Sequence, residues 1–500
     1  MTVTDAQHES REPPIPDHLR TRYSPVAVGL FSLVVYVPLA VRRSAWSDDF
    51  PLLVNDSINK VVSDGRPVLA FLNRLVLGSI DSIGGLVVAR LIGVVGLAVL
   101  LGYLTRLLLG LGWSPFLASL TGCSMGLLPP FHVYAGWASV FTFPWVMLLG
   151  AASGQLWLRS LVNRQRHWAA MALLGMTTAL LAYPPAAMFC WVPLGLRLIS
   201  TPNGPRASVV ESCRMGLLVL AAGPISLVLA RVSMAILGVE PDGRFQFIGS
   251  VPELADKIRW FASRPPAIAA RPFVISSPSD VAGLLTAAPV LLVVVAGLLL
   301  RYKGPVQDRV ASLAVFAGVA MMTMFSHLIT PENQTEYRYM AGLIVLTWAA
   351  LVLACREVFG LALAGRRALG HRETVVALAL LGVIGAGTLL ARQNIEQVFV
   401  RPAQVKEEYL LEHLQGFDPS RHRRIVVIDA AGHWPSRQNL GIYSVRTDLA
   451  HPWVIDPNIR LLLAERHGYA VAPQIVVVFE PTDLGPHDFL LDLRPLVKHF

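Results

Sequence analysis

The chain has 500 residues, of which 54% are hydrophobic and 15% are charged, and its formal net charge is +9. Soluble domains contain roughly 45–50% apolar and about 25% charged residues, so the composition excludes an ordinary soluble protein and predicts a mainly α-helical, polytopic membrane protein. The basic residues cluster in short loops between apolar runs, which is typical of membrane orientation and argues against nucleic acid as a partner.

A polar, proline-containing segment, residues 1–24, precedes the first apolar run and lacks the pattern of a cleavable signal peptide. About eleven apolar runs follow, each near the roughly 20 residues that a helix needs to cross a lipid bilayer. We therefore expect residues 25–392 to form a transmembrane domain. The runs lie near residues 25–41, 85–109, 115–131, 138–158, 168–183, 185–200, 215–238, 281–300, 310–329, 340–362 and 374–392.

Arginine-rich loops alternate with other loops along this domain. The positive-inside rule places the arginine-bearing segments in the cytoplasm, including the tail 1–24 and the loop RSLVNRQRH. The loop 42–84, the segment 239–280 and the sequence TPENQTEYRY are then expected outside. Because the expected number of spans is odd, residues 393–500 are also expected outside the membrane.

The C-terminal region, residues 393–500, has a different pattern. Its sequences RRIVVIDAAG and QIVVVFEP are short β-branched runs bounded by glycine or proline, and the helix-like IRLLLAERHGY lies between them. This alternation predicts a small α/β domain, which the expected topology makes extracytoplasmic.

The first outer loop, residues 42–84, carries two adjacent carboxylates, Asp48 and Asp49, directly after the first apolar run. Apolar residues between Val61 and Val76 recur with the period of an amphipathic helix, so we expect a structured loop. Carboxylates at the rim of a first span can be merely solvated helix ends. A pair that is followed closely by the sequence DGRP favours a functional site instead.

The sequences WSDDF, at residues 46–50, and SDGRP, at residues 63–67, both stand in this first outer loop. Together with the expected topology they resemble the Gtr-type bacterial O-antigen glucosyltransferases, members of the GT-C class of glycosyltransferases. The resemblance does not extend to the C-terminal region. It implies a GT-C-like fold in a bacterial cytoplasmic membrane, a polyprenyl-phosphate-linked sugar donor, a glucosyl group as the transferred sugar and a cell-envelope glycan as the acceptor.

By the same resemblance, Asp48 or Asp49 supplies the catalytic carboxylate, and the segment from Asp64 to Pro67 shapes the donor or acceptor pocket. The chemistry agrees, because a sugar held through a phosphodiester has a good leaving group and the enzyme mainly needs a base for the acceptor hydroxyl. Adjacent carboxylates can also repel, which raises one pKa, or share a divalent cation such as Mg²⁺ or Mn²⁺. The residues alone leave these roles open.

The leaving phosphate needs positive charge on the same side of the membrane. Arg338 stands in TPENQTEYRY between Tyr337 and Tyr339, with Glu332 and Glu336 nearby. The planar guanidinium of arginine can make two parallel hydrogen bonds to a phosphate, so Arg338 is the first candidate for donor binding. The alternative is a structural arginine that pairs with Glu336 beside tyrosines of an interfacial belt.

Other residues are candidates for donor or acceptor contacts. Arg66 is a second candidate for the phosphate, and the alternative is a salt bridge to Asp64. His132 and Tyr134, in the outer sequence PPFHVYAGW, are candidates for sugar contacts, although interfacial belts use the same residue types. The segment 239–280 interleaves arginines with aromatic residues and is expected to contact lipid head groups.

Other functions also remain open. A mannosyl- or arabinosyltransferase that acts on a wall polysaccharide or protein belongs to the same class. A lipid-linked glycan flippase or transporter would place ionisable groups at mid-membrane, whereas these carboxylates stand at the outer rim. A non-catalytic envelope scaffold would need neither the aspartate pair nor DGRP.

Overall fold

The computed structural model describes residues 17–499 with internal gaps. Most of the expected tail 1–24, and parts of the outer segment 239–280 and of the C-terminal region, lie outside the described residues. The internal gaps are residues 55–57, 202–203, 243–246, 272, 274–279, 363–367, 430–451, 469–472 and 481–483.

The chain is mainly helical, and proline and capping residues set several of the helix starts. Pro115 begins one helix, and the side chain of its N-cap residue, Ser114, accepts the backbone N–H of Leu117. At the start of another helix, the side chain of the N-cap residue Ser250 accepts the backbone N–H of Glu253. The helices are α1 (Asp17–Ala40), α2 (Asp49–Val54), α3 (Ile58–Ser63), α4 (Pro67–Leu77), α5 (Leu86–Gly110), α6 (Pro115–Gly126), α7 (Pro129–Gly136), α8 (Phe143–Asn163), α9 (Arg166–Ala182), α10 (Pro184–Ala187), α11 (Val192–Ser200), α12 (Pro205–Leu237), α13 (Val251–Ala269), α14 (Asp280–Arg301), α15 (Val306–Met322), α16 (Phe325–Ile329), α17 (Tyr337–Ala362), α18 (Ala368–Ile395), α19 (Arg401–His413) and α20 (Pro452–His467).

Within the described part of the chain, six helical segments are long and apolar enough to cross a membrane, and the bent pair of α6 and α7 raises this to seven. The prediction of a helical membrane protein is therefore confirmed. The prediction of about eleven spans, which counted runs near 20 residues, is wrong by this measure. The six segments are Arg22–Ala40, Leu86–Gly110, Ala138–Asn163, Pro205–Leu237, Tyr337–Leu361 and Arg372–Gly416.

The number of uninterrupted spans is smaller than expected because helix breaks and short helices interrupt several apolar runs. The apolar run 115–131 bends by 58° between α6 and α7. The run 185–200 is divided into α10, a 3-10 turn and α11, with prolines near both helix starts. Helices α9 and α15 have only 17 residues each. Hydropathy counts apolar residues without regard to such proline breaks, and it therefore overestimates the number of uninterrupted spans.

Helix ends meet at two faces of the protein. At one, which we name the site face, the loop 42–84 meets the chain before α8, where the Ser139 N–H donates to Asp49. At the opposite face, Arg301 of α14 forms an ion pair with Glu357 of α17. The 25 residues of α5 separate the two faces by roughly 37 Å, at about 1.5 Å per residue.

The C-terminal region contains a small parallel sheet. Its strands are β1 (Arg424–Ile428), β2 (Gln474–Val478) and β3 (Asp488–Asp492), in the order β2-β1-β3. Val426 pairs with Val476 on one side and Leu490 on the other. The small α/β fold is present, and its expected boundary after residue 392 falls inside the helical segment Arg372–Gly416.

The sheet region and the first outer loop share one hydrophobic core. Phe50, Leu77 and Ile83 of the loop belong to the same buried cluster as Leu410 and Leu462 of the C-terminal region. The C-terminal region therefore lies on the site face, directly against the loop 42–84.

The sequence DGRP forms a corner between α3 and α4. Gly65 has a φ of 81°, and the N–H groups of Gly65 and Arg66 donate to the carbonyls of Val62 and Val61. This is a Schellman motif, in which the left-handed residue is usually glycine. Pro67 then opens α4 at its first turn. The four residues thus end one helix, begin the next and place Arg66 at the corner.

Candidate functional site

The sequence WSDDF forms a tight turn at the start of the first outer loop. Trp46 and Phe50 are buried, and Ser47 has a left-handed backbone with a φ of 38°. Residues other than glycine adopt this conformation rarely. The two carboxylates that follow, Asp48 and Asp49, have different surroundings.

Asp49 is a buried structural carboxylate, with 1% of its surface exposed. Its Oδ2 accepts the Trp46 N–H at 2.9 Å, and its Oδ1 accepts the Ser139 N–H at 2.7 Å. Burial raises the pKa of Asp49 to about 7, although these hydrogen bonds and the charge of Arg90 act in the opposite direction. Because both oxygens accept backbone N–H groups, Asp49 joins the first outer loop to the chain before α8.

Arg90, near the start of α5, fixes the chain that leads into the turn. Its buried guanidinium donates to the carbonyls of Ala40, Arg42 and Ser44 at 2.9, 2.5 and 2.6 Å. A buried charge needs such compensation. Arg90 is therefore a structural group near one end of its helix.

Asp48 is half-buried, and its surroundings differ from those of Asp49. Among the described residues, its carboxylate has no hydrogen bond or ion pair, and its charge interacts with those of Arg338 and Asp49. The pair is thus asymmetric. Asp48 remains available to a ligand, whereas Asp49 holds the backbone.

Arg338, at the start of α17, is fixed by several contacts. The Tyr134 hydroxyl donates to the Arg338 carbonyl at 2.8 Å, and Arg338 Nε donates to Glu336 Oε2 at 2.9 Å. The guanidinium carbon lies 5.2 Å from the Trp137 ring centroid and 4.7 Å from the Tyr339 ring centroid. In the part of the chain that the structure describes, the terminal nitrogens of Arg338 have no hydrogen-bond partner.

Arg66 approaches the same place from the DGRP corner. Its guanidinium carbon lies 5.0 Å from the Tyr183 ring centroid. Its terminal nitrogen forms the expected ion pair with Asp64 at 3.7 Å, a distance too long for a hydrogen bond. The charges of Arg66 and Arg338 both act on Tyr183 and Tyr339. Across residues 17–499, outside the gaps, the Arg66 guanidinium makes no hydrogen bond. Two arginines from distant loops therefore converge with unused donors.

Aromatic side chains pack beneath the two arginines. Tyr183 stacks on Phe143, with 3.8 Å between ring centroids, and on Tyr339, with 6.3 Å. The His327 ring meets Tyr339 edge-on at 4.8 Å. Burial, together with nearby cations, lowers the pKa of His327 to about 3, so this imidazole is neutral. The cations are Lys257, Arg338 and Arg66.

Lys257 of α13 anchors the chain that leads to Arg338. Its Nζ donates to the carbonyls of Pro331 and Glu332 at 3.2 and 2.6 Å and to Oδ1 of Asn333 at 2.7 Å. Burial lowers the pKa of Lys257 to about 8. The segment 239–280, expected to contact lipid, thus also supports the site. Glu332 takes part through its backbone carbonyl, whereas its side chain accepts a hydrogen bond from Gln334.

The structure brings six of the predicted site residues together, although Tyr134 is fully buried among them, and His132 and Tyr337 are buried elsewhere. His132 is buried against the Leu127 carbonyl, at 2.9 Å, and the Tyr36 ring, so its ring is not open to the expected sugar contact. Tyr337 is also buried, where it interacts with Arg271. The residues that meet at the site are Asp48, Asp64, Arg66, Tyr134, Glu336 and Arg338.

Sequence reasoning missed Tyr183, His327 and Lys257. For Tyr183 a signal was present, because the sequence YPP interrupts two apolar runs and broken helices at membrane depth tend to line protein cavities. Lys257 and His327 carry no local pattern, because their roles depend on distant contacts. The carbonyl of Glu332, for example, is 75 positions from Lys257.

The residues do not fit a divalent cation held between Asp48 and Asp49. Both oxygens of Asp49 accept backbone N–H groups. The described segments also contain no group of three or more His, Cys, Asp or Glu side chains that could hold a metal ion. Mg²⁺ needs several oxygen ligands in near-octahedral geometry, and this turn offers the oxygens of one available carboxylate.

The assembled groups place two guanidinium groups near the carboxylate of Asp48. Arg66 and Arg338 can bind an anion with their unused donors, and Asp48 can accept a proton beside it.

The chain matches no protein-family model, and no curated protein matches it.

Proposed function

We propose that the protein is a membrane glycosyltransferase of GT-C type, which transfers a sugar from a polyprenyl-phosphate donor to a cell-envelope glycan. The observation that carries the proposal is the convergence of Arg66 and Arg338, with unused guanidinium donors, beside the available carboxylate of Asp48. Guanidinium groups match the geometry of phosphate oxygens. The resemblance of WSDDF and SDGRP to the Gtr-type enzymes supports the same function, with a glucosyl group as the expected sugar.

Asp48 is the proposed general base. The acceptor hydroxyl gives its proton to the Asp48 carboxylate while its oxygen attacks the anomeric carbon of the donor sugar. The bond between this carbon and the phosphate oxygen breaks, and its electron pair leaves with the polyprenyl phosphate. Arg66 and Arg338 stabilise the negative charge on the leaving phosphate. Glycan, polyprenyl phosphate and protonated Asp48 are the products of the step.

The position of the site suits a lipid-tethered donor. Asp48 follows α1, and Arg338 begins α17, so the charged groups lie at the ends of apolar helices. A polyprenyl tail can remain in lipid while its phosphate reaches the arginines. We place the site face outside a bacterial cytoplasmic membrane and the N-terminus in the cytoplasm, because the arginine-rich loop 159–166 lies at the far end of α8.

The alternatives make different demands on the site. A mannosyl- or arabinosyltransferase would use the same groups with a different donor sugar. A flippase or transporter would need free ionisable groups inside the membrane. The buried Arg90 does not fit that role, because backbone carbonyls occupy its guanidinium.

The experiment uses the purified full-length protein in lipid nanodiscs. Polyprenyl-phosphate donors that carry labelled glucose, mannose or arabinose are incubated with a bacterial cell-envelope polysaccharide fraction. We expect label to move from the lipid-extractable donor into polysaccharide with glucose, and Arg338→Lys to slow this transfer. If no donor transfers its label, the proposed function is wrong. If Arg338→Lys and wild type transfer it equally, the proposed role of Arg338 is wrong.

A further inference from the structure

The C-terminal region holds both aromatic residues of the WSDDF turn. The indole Nε1 of Trp46 donates to the Phe399 carbonyl at 2.6 Å. Lys406 of α19 places its Nζ 4.3 Å from the Phe50 ring centroid and 5.6 Å from the Trp46 ring centroid. Only 4% of the Lys406 surface is exposed. A desolvated cation over aromatic rings is attracted more strongly than an exposed one.

The same region also connects the two ends of the loop 42–84. Arg43 donates to Glu407 at 2.7 Å and to Glu465 at 2.6 Å. The second oxygen of Glu465 accepts the Ile83 N–H at 2.7 Å. Glu465 therefore contacts both the start and the end of the loop, and Lys406 contacts the turn between them.

Asp48 lies between Trp46 and Phe50 in this turn. Its direction depends on the left-handed Ser47, whose φ of 38° is uncommon for a residue other than glycine. Strained backbone of this kind persists only where the surrounding contacts fix it. Here the contacts on both sides of Asp48 come from the C-terminal region and, through Asp49, from the chain before α8.

We propose that the C-terminal region is a built-in support of the site, and that Lys406 is a positioning residue that fixes the turn carrying Asp48. The catalytic consequence rests on the proposed function, whereas the ordering of the turn does not. Loss of Lys406 would leave Arg66 and Arg338 in place, because these arginines are held by their own contacts with Tyr183, Tyr134 and Glu336. Transfer would therefore slow without a change in donor affinity.

The ordering of the turn is tested on the full-length chain with its native cysteines replaced. A small trifluoromethyl tag is attached to Asp48→Cys and observed by fluorine NMR, with Lys406, Lys406→Met or Lys406→Arg. We expect a single fluorine resonance when Lys406 is present, additional resonances in Lys406→Met, and a single resonance again in Lys406→Arg. Lys60→Met is the matched control, because Lys60 lies 5.0 Å from the Trp453 ring in another contact between the loop and the C-terminal region. This control should leave the single resonance unchanged.

Turnover of chains that retain Asp48 completes the test. Lys406→Met should lower kcat for sugar transfer by about 10-fold, the scale of a modest misplacement, with an unchanged donor KM, and Lys406→Arg should restore most of it. A single resonance in Lys406→Met, or an equal response to Lys60→Met, would overturn the inference. If the resonances change as expected but wild type transfers no sugar, the proposed function falls and the support of the turn stands.

Discussion

The carboxylate of Asp49 accepts the backbone N–H of Ser139, 90 positions further along the chain, at 2.7 Å. The other oxygen of Asp49 accepts the Trp46 N–H. One side chain thus connects the first outer loop with the chain before α8. Its neighbour, Asp48, has no such bond among the described residues and interacts with the charge of Arg338.

Asp49→Asn should destabilise the protein at pH 5. The amide offers one acceptor oxygen where the carboxyl group offers two, so one buried backbone N–H loses its partner at a cost of about 1–3 kcal/mol. Asp48→Asn is the matched control and should change stability by less than about 0.5 kcal/mol, because the Asp48 carboxylate makes no hydrogen bond among the described residues. Thermal unfolding in detergent measures both. Equal melting temperatures for the two variants would show that Asp49 has no structural role.

The stability difference between wild type and Asp49→Asn should depend on pH. Burial raises the pKa of Asp49 to about 7 in the folded protein, against about 3.9 in an unfolded chain. The folded state therefore binds the proton more tightly, and the contribution of Asp49 to the free energy of unfolding falls as pH rises from about 4 to about 7. Melting temperatures of the two proteins should accordingly converge between pH 5 and pH 8. A constant difference over this range would contradict the raised pKa.

Arg66→Lys and Arg338→Lys should each weaken donor use. Lysine keeps the charge but loses the planar fork, so we expect the donor KM to rise by about 10-fold in each variant. The double variant should show a non-additive effect, because both arginines act on one phosphate. Arg74→Lys is the control, since Arg74 is exposed on α4, the helix that follows Arg66. If the effects on KM add in the double variant, or if Arg74→Lys raises KM equally, the two arginines do not act on one shared phosphate.

Labelling with a membrane-impermeant maleimide tests the proposed sidedness. In a chain without native cysteines, Ser79→Cys and Gln415→Cys should react from outside intact cells, because the loop 42–84 packs on the C-terminal region. Gln165→Cys should react only after the membrane is permeabilised, because α8 leads from Ser139 to the opposite face. All three positions are exposed. Reaction of Gln165→Cys from outside would reverse the orientation.

Part of this arrangement could be predicted from the sequence. The polar loops after apolar runs placed Asp48, Arg66 and Arg338 on one side of the membrane, and the structure brings these three side chains to one place. DGRP also carries a local signal, because a glycine followed by a proline marks the end of one helix and the start of another.

Other features could not be predicted, because they depend on distant contacts. The residue types in WSDDF do not separate Asp48 from Asp49, since one of the two hydrogen bonds that hold Asp49 comes from the distant Ser139. The contact between Lys406 and Phe50 joins regions that no sequence pattern relates. The number of uninterrupted spans was overestimated because proline breaks and short helices, such as those in 185–200, leave the hydropathy of a run almost unchanged.

Turnover of Asp48→Asn tests the central claim most directly. Transfer from a polyprenyl-phosphate sugar is measured for wild type, Asp48→Asn and Asp49→Asn, with and without EDTA, on equal amounts of folded protein. Asp48→Asn should lower kcat by roughly 10²-fold or more, the usual scale for loss of a general base. Asp49→Asn should retain more activity, and EDTA should change none of the rates, because the carboxylates are not arranged to hold a metal. A near-normal rate for Asp48→Asn would contradict the claim that this carboxylate is the base.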